Sequence, residues 1–237
     1  MSVVCGRYSS TSRLEDLADV FRAEEVCTEP MPPRYNVAPT MPVYAVALRR
    51  GHRALGTFRW GLVPSWAKEP SVGNRMINAR AEGLATSRAY RTAMDRRRCL
   101  IPADAFFEWQ RRPGPGGKAL TRVPHAIRRV DGHPMAFAGL WEVWHDPASP
   151  GGGLLRTCAI VTTAANEVVA PVHGRMPAVL DVRRWATWLD PATDFSTAWG
   201  LLAPAPCEWF EVYPVSTLVN DVRHEGPGLL EPMPAAS

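Results

Sequence analysis

Met135-Ala136-Phe137-Ala138-Gly139-Leu140-Trp141-Glu142-Val143-Trp144 reads as a β-strand, an almost unbroken apolar run carrying one carboxylate. Working outward, further strands are expected at residues 43–48, 57–62, 98–101, 124–129, 157–162 and 210–214. Helical signals are fewer. Ser12-Arg13-Leu14-Glu15 has capping-box spacing, and Leu14, Leu17, Ala18 and Phe21 recur at helical intervals, predicting a helix over 12–22. Val182, Trp185, Ala186 and Leu189 give one apolar face to a helix over 182–189 after an Asp181 cap. Residues 86–94 are read as helix, and 167–170 as a single turn.

Punctuation is plain. Residues 29–42 are proline-rich and read as an irregular loop leading into the strand at 43–48. Residues 112–118 and 146–153 are dominated by Pro and Gly, and each lies between two strands, so both are read as hairpin loops. There is no internal repeat. Many short strands with few helices predict an α+β fold: one domain over 1–232, with a curved, barrel-like, mostly antiparallel sheet flanked by a few helices. Residues 233–237 are expected to be a disordered tail.

The chain has 237 residues, 46% hydrophobic and 21% charged, in the ordinary range of soluble globular proteins. Its net charge of +4 permits an anionic partner without demanding one. Arginine outnumbers lysine, which suits bidentate phosphate contacts and equally suits a GC-rich genome. Five scattered cysteines without CxxC spacing support neither a disulfide framework nor structural zinc, and Cys99 and Cys158 read as small core residues. No secretory leader or membrane-spanning run is seen, so a cytoplasmic protein is expected.

Four segments carry chemistry. Ile101-Pro102-Ala103-Asp104-Ala105-Phe106-Phe107-Glu108-Trp109 sets Glu108 among aromatics, where desolvation raises a carboxyl pKa towards the range useful for proton transfer. Its plain alternative is a solvated strand-end glutamate; a cation such as Arg80 could also hold it ionised. Pro171-Val172-His173-Gly174-Arg175-Met176-Pro177 puts an imidazole and a guanidinium two apart in a constrained turn, or else holds a surface histidine beside a structural arginine. Ile77-Asn78-Ala79-Arg80 repeats that spacing: Asn78 could orient a carbonyl or hydroxyl, and Arg80 could contact a phosphate. In Trp60-Gly61-Leu62-Val63-Pro64-Ser65-Trp66, Trp60 reads as core and Trp66 as an exposed stacking platform.

Together these segments resemble one family, the SOS-response-associated peptidase (SRAP) proteins, also described as abasic-site processing or DNA–protein crosslink proteins. The matching pieces keep the family's order: Cys5-Gly6-Arg7-Tyr8, Arg34-Tyr35-Asn36-Val37-Ala38-Pro39, Trp60 to Trp66, Asn78-Ala79-Arg80, Ala103 to Trp109, Ile160-Val161-Thr162, His173 to Pro177 and Pro214-Val215-Ser216. They cover nearly the whole chain. The resemblance implies a role in the DNA damage and SOS response, acting as a monomer on single-stranded DNA that contains abasic sites. An N-terminal cysteine would be linked covalently to the ring-opened sugar as a thiazolidine, with associated autopeptidase and partial abasic-site lyase activity. It implies Cys5, Asn78, Glu108 and His173 as catalytic residues. Trp66, Arg80, Arg88, Arg175, Pro39 and Thr162 would contact DNA. Neither a metal nor an organic cofactor is implied.

Cys5 is conditional. A terminal cysteine offers an amine and a thiol, and both are needed to close a thiazolidine ring; an internal one has lost its amine to a peptide bond. Here Met1-Ser2-Val3-Val4 precede it. A valine codon such as GTG at position 4 can serve as a bacterial start, and self-cleavage after Val4 is the other route to a free Cys5. Two further departures from the family pattern are Gly174, in place of a residue that is often acidic, and Ala67, where some members carry a second tryptophan. The expected weakening lies in the His173–Arg175 turn and in the base wedge. The alternatives to DNA crosslinking are a thiol peptidase using Cys5 with His173, and a non-covalent single-strand binder.

Overall fold

The computed structural model describes residues 5–113, 120–148 and 153–233. Strands β1 (Arg7–Ser10), β2 (Glu25–Val26), β3 (Arg34–Val37), β4 (Pro42–Arg49), β5 (His52–Trp60), β6 (Asn78–Arg80) and β7 (Arg98–Ala103) are followed by β8 (Ala105–Pro113), β9 (Leu120–Arg129), β10 (Met135–His145), β11 (Leu154–Ala164), β12 (Arg175–Pro177) and β13 (Phe210–Pro214). The helices are α1 (Leu14–Phe21), α2 (Arg91–Arg96), α3 (Trp185–Leu189) and α4 (Phe195–Gly200), with several 3-10 turns.

Strands β7, β4, β5, β11 and β10 pair in that order, and β10 returns to β7, closing a five-stranded barrel. The β5–β11 contact is parallel; the other four are antiparallel. β2, β6 and β12 add to this barrel at its seams. A second sheet runs β13-β9-β8-β1-β3. The chain crosses from barrel to sheet at Asp104, the single residue between β7 and β8.

The apolar run at 135–144 is continuous because β10 is buried on both faces, and side chains alternate between faces with period two. Ala136, Ala138 and Leu140 join the core shared with α1 and α3, where Phe21 stacks on Trp185 at 4.7 Å. Met135 and Phe137 join the core shared with Tyr8, Phe106, Ile127 and Phe210 of the second sheet. Gly139 is required between them, since a Cβ there would lie 2.7 Å from the Cys99 sulfur. The α+β architecture with a barrel-like sheet is therefore the fold the sequence predicts.

Several local expectations change. Residues 34–37 form β3 within the segment read as loop, because they pair with β1 at the edge of the second sheet. Ser12 does not cap α1. Its hydroxyl and its N–H donate to Asp104, at 2.5 and 3.0 Å, and Thr11 donates twice more to the same carboxylate. The expected helix over 86–94 shrinks to α2, because Gly83 and Ser87 carbonyls close separate turns before it. Asp181 does cap the turn leading into α3, accepting from the Arg183 N–H at 2.8 Å. The expected loops at 112–118 and 146–153 and the tail at 233–237 fall largely outside the described residues; their described ends are the close of β8, a turn after β10, and Met233, whose N–H bonds the Pro214 carbonyl. No helix among the described residues is long and apolar enough to cross a membrane.

Candidate functional site

β1 enters the second sheet with Arg7 opposite Phe107 of β8, which brings the residues before it alongside Glu108. Cys5 is fully buried, and its backbone N–H donates to Glu108 Oε1 at 2.6 Å. Its φ of 44° is left-handed, a conformation costing an ordinary residue about 1 kcal/mol and concentrated at functional sites. Burial, then the nearby Glu108 charge, push the Cys5 thiol well above its usual value, so the sulfur is held as a thiol.

Glu108 is 2% exposed, in the middle of β8 opposite His125 of β9. This overturns the reading of a solvated strand-end glutamate. Its short partner is the Cys5 N–H, with no Arg80 contact. Burial pushes its pKa up to about 8, against the pull of the Cys5 and Trp109 N–H groups. A carboxyl poised there can take a proton and return it near neutral pH.

Glu108 and His173 line one cleft of about 1010 Å³, together with Arg7, Trp109, Arg111 and Arg122. The His173 turn is held from several sides. The Asn166 side chain is buried, accepting from Val169 N–H at 3.0 Å and donating to the Ala205 carbonyl at 2.9 Å. His173 N–H donates to the Val169 carbonyl, and Arg175 N–H donates to His173 Nδ1 at 3.2 Å. The turn is formed with Gly174 in it: its carbonyl accepts from Ala165 N–H, and a Cβ at this position would meet open space.

Asn78 and Arg80 lie on β6, opposite Ile160 and Thr162 of β11. Tyr90 Oη donates to the Asn78 carbonyl at 3.1 Å, and Arg80 is exposed. Thr162 is fully buried; its carbonyl and hydroxyl accept from Arg175 at 2.8 and 3.3 Å. Arg175 also forms a two-pronged ion pair with Glu82, so its guanidinium would have to exchange partners to grip a phosphate. Trp66 is 54% exposed, with the Arg88 guanidinium 5.0 Å from its ring centre. Its loop is fixed by the close approach of Gly61 and Gly73: a Cβ at Gly61 would lie 2.5 Å from the Gly73 carbonyl oxygen. Trp60 is core, as read, and donates from Nε1 to the Ile77 carbonyl at 2.9 Å. Ala67 is buried, its carbonyl accepting from Trp144 Nε1 at 2.7 Å, so the turn presents one exposed indole. Half-buried Pro39 precedes Thr40, whose N–H bonds the Trp60 carbonyl.

Sequence reasoning gave no role to the residues that build the far wall. Asn36 is fully buried; its amide donates to the carbonyls of Val219, Asp221 and His224, and its oxygen accepts from Arg7 at 2.8 Å. Trp109 Nε1 donates to Asn220 at 2.7 Å. These bonds clamp residues 219–224 over β1 and β8. The Arg34-Tyr35-Asn36 segment was the available signal, but a polar residue in a proline-rich stretch does not reveal a partner nearly two hundred residues away.

Known proteins resemble this chain over nearly its whole length. The chain is 37% identical over 230 residues to the abasic site processing protein YoqW of Bacillus subtilis (strain 168), covering 96% of this chain and 99% of that protein. It is 30% identical over 236 residues to the abasic site processing protein YedK of Escherichia coli (strain K12), covering 97% and 100%. A crystal structure of a Bacteroides thetaiotaomicron protein has the same fold, with TM-score 0.82 and 21% identity over 97% of this chain and all of that one. The family model described as SOS response associated peptidase (SRAP) matches residues 4–222, and the chain belongs to that family.

Proposed function

We propose that this protein senses abasic sites in single-stranded DNA and links itself covalently to them through Cys5. The observation that carries the reading is the 2.6 Å contact between the Cys5 nitrogen and the buried Glu108 carboxyl, beside a cleft walled by arginines and His173. Relatives named as abasic site processing proteins support it.

The chemistry requires the Cys5 nitrogen as a free amine. Glu108 then takes the ammonium proton, and the amine attacks C1′ of the ring-opened sugar. Loss of one water, its hydroxyl protonated by Glu108, gives the imine. The Cys5 sulfur adds to the imine carbon while its proton goes to the nitrogen, which closes the thiazolidine. A thiol held protonated by burial suits that last transfer. It suits a thiol peptidase poorly, since that chemistry needs a thiolate. His173 would assist opening of the sugar, Asn78 would orient it, and Arg80, Arg175 and Arg88 would hold phosphates. Trp66 and Pro39 would contact bases beside the lesion, and buried Thr162 would support the site from behind through Arg175. The imine also opens a route to β-elimination, the basis of a partial lyase activity.

The test is a denaturing gel with an oligonucleotide containing one abasic site. A heat-stable adduct formed by a chain starting at Cys5, and absent in Cys5→Ala, supports the reading. Cleavage of peptides with no DNA adduct overturns it in favour of a thiol peptidase.

A further inference from the structure

The cleft continues past Glu108 and His173 along the β8–β9 hairpin, where Arg111 and Arg122 stand directly opposite each other. Like charges facing across an antiparallel pair are destabilising, because their Cβ atoms lie only about 5 Å apart. Both side chains are exposed, and neither has an acidic partner among the described residues. The other end of β9 behaves differently. Arg128 is paired with Glu211 at 2.5 Å, and Arg129 is paired with Asp131. Carboxylates pair with the hairpin arginines away from the cleft, whereas among the described residues no ion pair reaches Arg111 or Arg122 where the hairpin borders it. Arg7 adds a third cation to the lining, whose single acid is Glu108. The hairpin is also anchored to the reactive centre: Gln110 Nε2 donates to the Pro171 carbonyl at 2.8 Å, two residues before His173.

Trp66, Arg80 and Arg88 do not line this cleft. They belong to the barrel side, whereas Arg111 and Arg122 share the second sheet with Glu108, and Cys5 packs in the core that barrel and sheet have in common. We infer that Arg111 and Arg122 form a phosphate-binding subsite that holds the backbone of the DNA strand on the flank of the lesion opposite Trp66 and Arg88. The inference rests on the proposed binding of abasic DNA. A shared phosphate would place an anion between two facing guanidiniums, which removes the repulsion.

Three oligonucleotides test it, with the abasic nucleotide central, at the 5′ end or at the 3′ end. For the central lesion, R111A/R122A raises the DNA concentration for half-maximal crosslinking about tenfold and lowers the salt slope of binding by about 1 to 2. That penalty disappears with one terminal lesion and persists with the other, and W66A shows the reverse pattern. Arg122→Glu melts above wild type, because it pairs with Arg111, yet binds DNA more weakly. If wild type crosslinks all three and R111A/R122A matches it on each, the subsite is wrong and the abasic-site reading stands. If R122E lowers both melting temperature and binding, the arginines are structural and the subsite falls. If wild type neither binds nor crosslinks any of the three, the abasic-site reading itself fails.

Discussion

Arg98 at the start of β7 and Glu108 within β8 are both ionisable and both 2% exposed, yet their surroundings differ completely. Arg98 uses all five of its N–H donors. Nε bonds the Trp188 carbonyl at 2.5 Å, Nη1 bonds those of Met94 and Asp95, and Nη2 bonds those of Asp190 and Thr193. Its guanidinium ties the end of α2 to α3 and has no capacity left for chemistry. Glu108 accepts from Cys5 and Trp109 and borders an open cleft, with its pKa pushed up to about 8. A buried charge whose partners are complete holds the fold in place; one whose partners are incomplete can exchange a proton.

Substitution of Glu108 should give the largest effect. Glu108→Gln should slow crosslinking roughly 10²–10⁴-fold, the range for loss of a general acid–base. Stability should move the other way. The unfolded carboxyl ionises near 4.5 and the folded one near 8, so the folded protein binds the extra proton between these values. Wild type should lose stability as pH rises through that window, and melting curves of Glu108→Gln should lack the slope and lie higher above pH 8. Equal slopes in the two proteins would erase the contrast with Arg98.

Arg98→Met should show the opposite pattern. Five buried or partly buried carbonyls each lose a donor, costing about 3 kcal/mol in urea unfolding. The crosslinking rate of the protein that remains folded should stay within about threefold of wild type, since Arg98 touches nothing in the cleft.

Much of this contrast was visible in the sequence, and its failures are instructive. The strands at 43–48, 98–101, 135–144, 157–162 and 210–214 are found there because long apolar runs announce burial. Glu108 could be singled out because it interrupts such a run. Arg98 could not: its partners are backbone carbonyls up to 95 residues away, and carbonyls leave no mark in a sequence. Ser12 failed as a cap for the same reason, since Asp104 claims its hydroxyl from 92 residues along the chain. The short strands β1, β3 and β6 owe their pairing to tertiary neighbours and carry too few residues to show a period. Arg175 was legible as a cation, while its bond to Glu82 was not.

A smaller effect separates exposed from buried aromatic residues. Trp66→Ala should weaken single-stranded DNA binding by about 1–3 kcal/mol, the value of one stacked base, and leave the melting temperature unchanged. Binding titrations beside melting curves check both. The smallest concerns the turn that carries His173. Asn166→Ala removes the buried amide that pins it, costing about 1 kcal/mol of stability and slowing crosslinking severalfold without altering DNA affinity.

The central claim is that the Cys5 nitrogen, paired with Glu108, is the group that captures the aldehyde. Two versions of the chain, both beginning at Cys5, decide it: one with a free α-amine and one acetylated there, each mixed with abasic single-stranded DNA and run on a denaturing gel. The account predicts a heat-stable adduct for the free amine and none for the acetylated chain. Equal adduct from both would show that the thiol acts without the amine, and the account would be wrong.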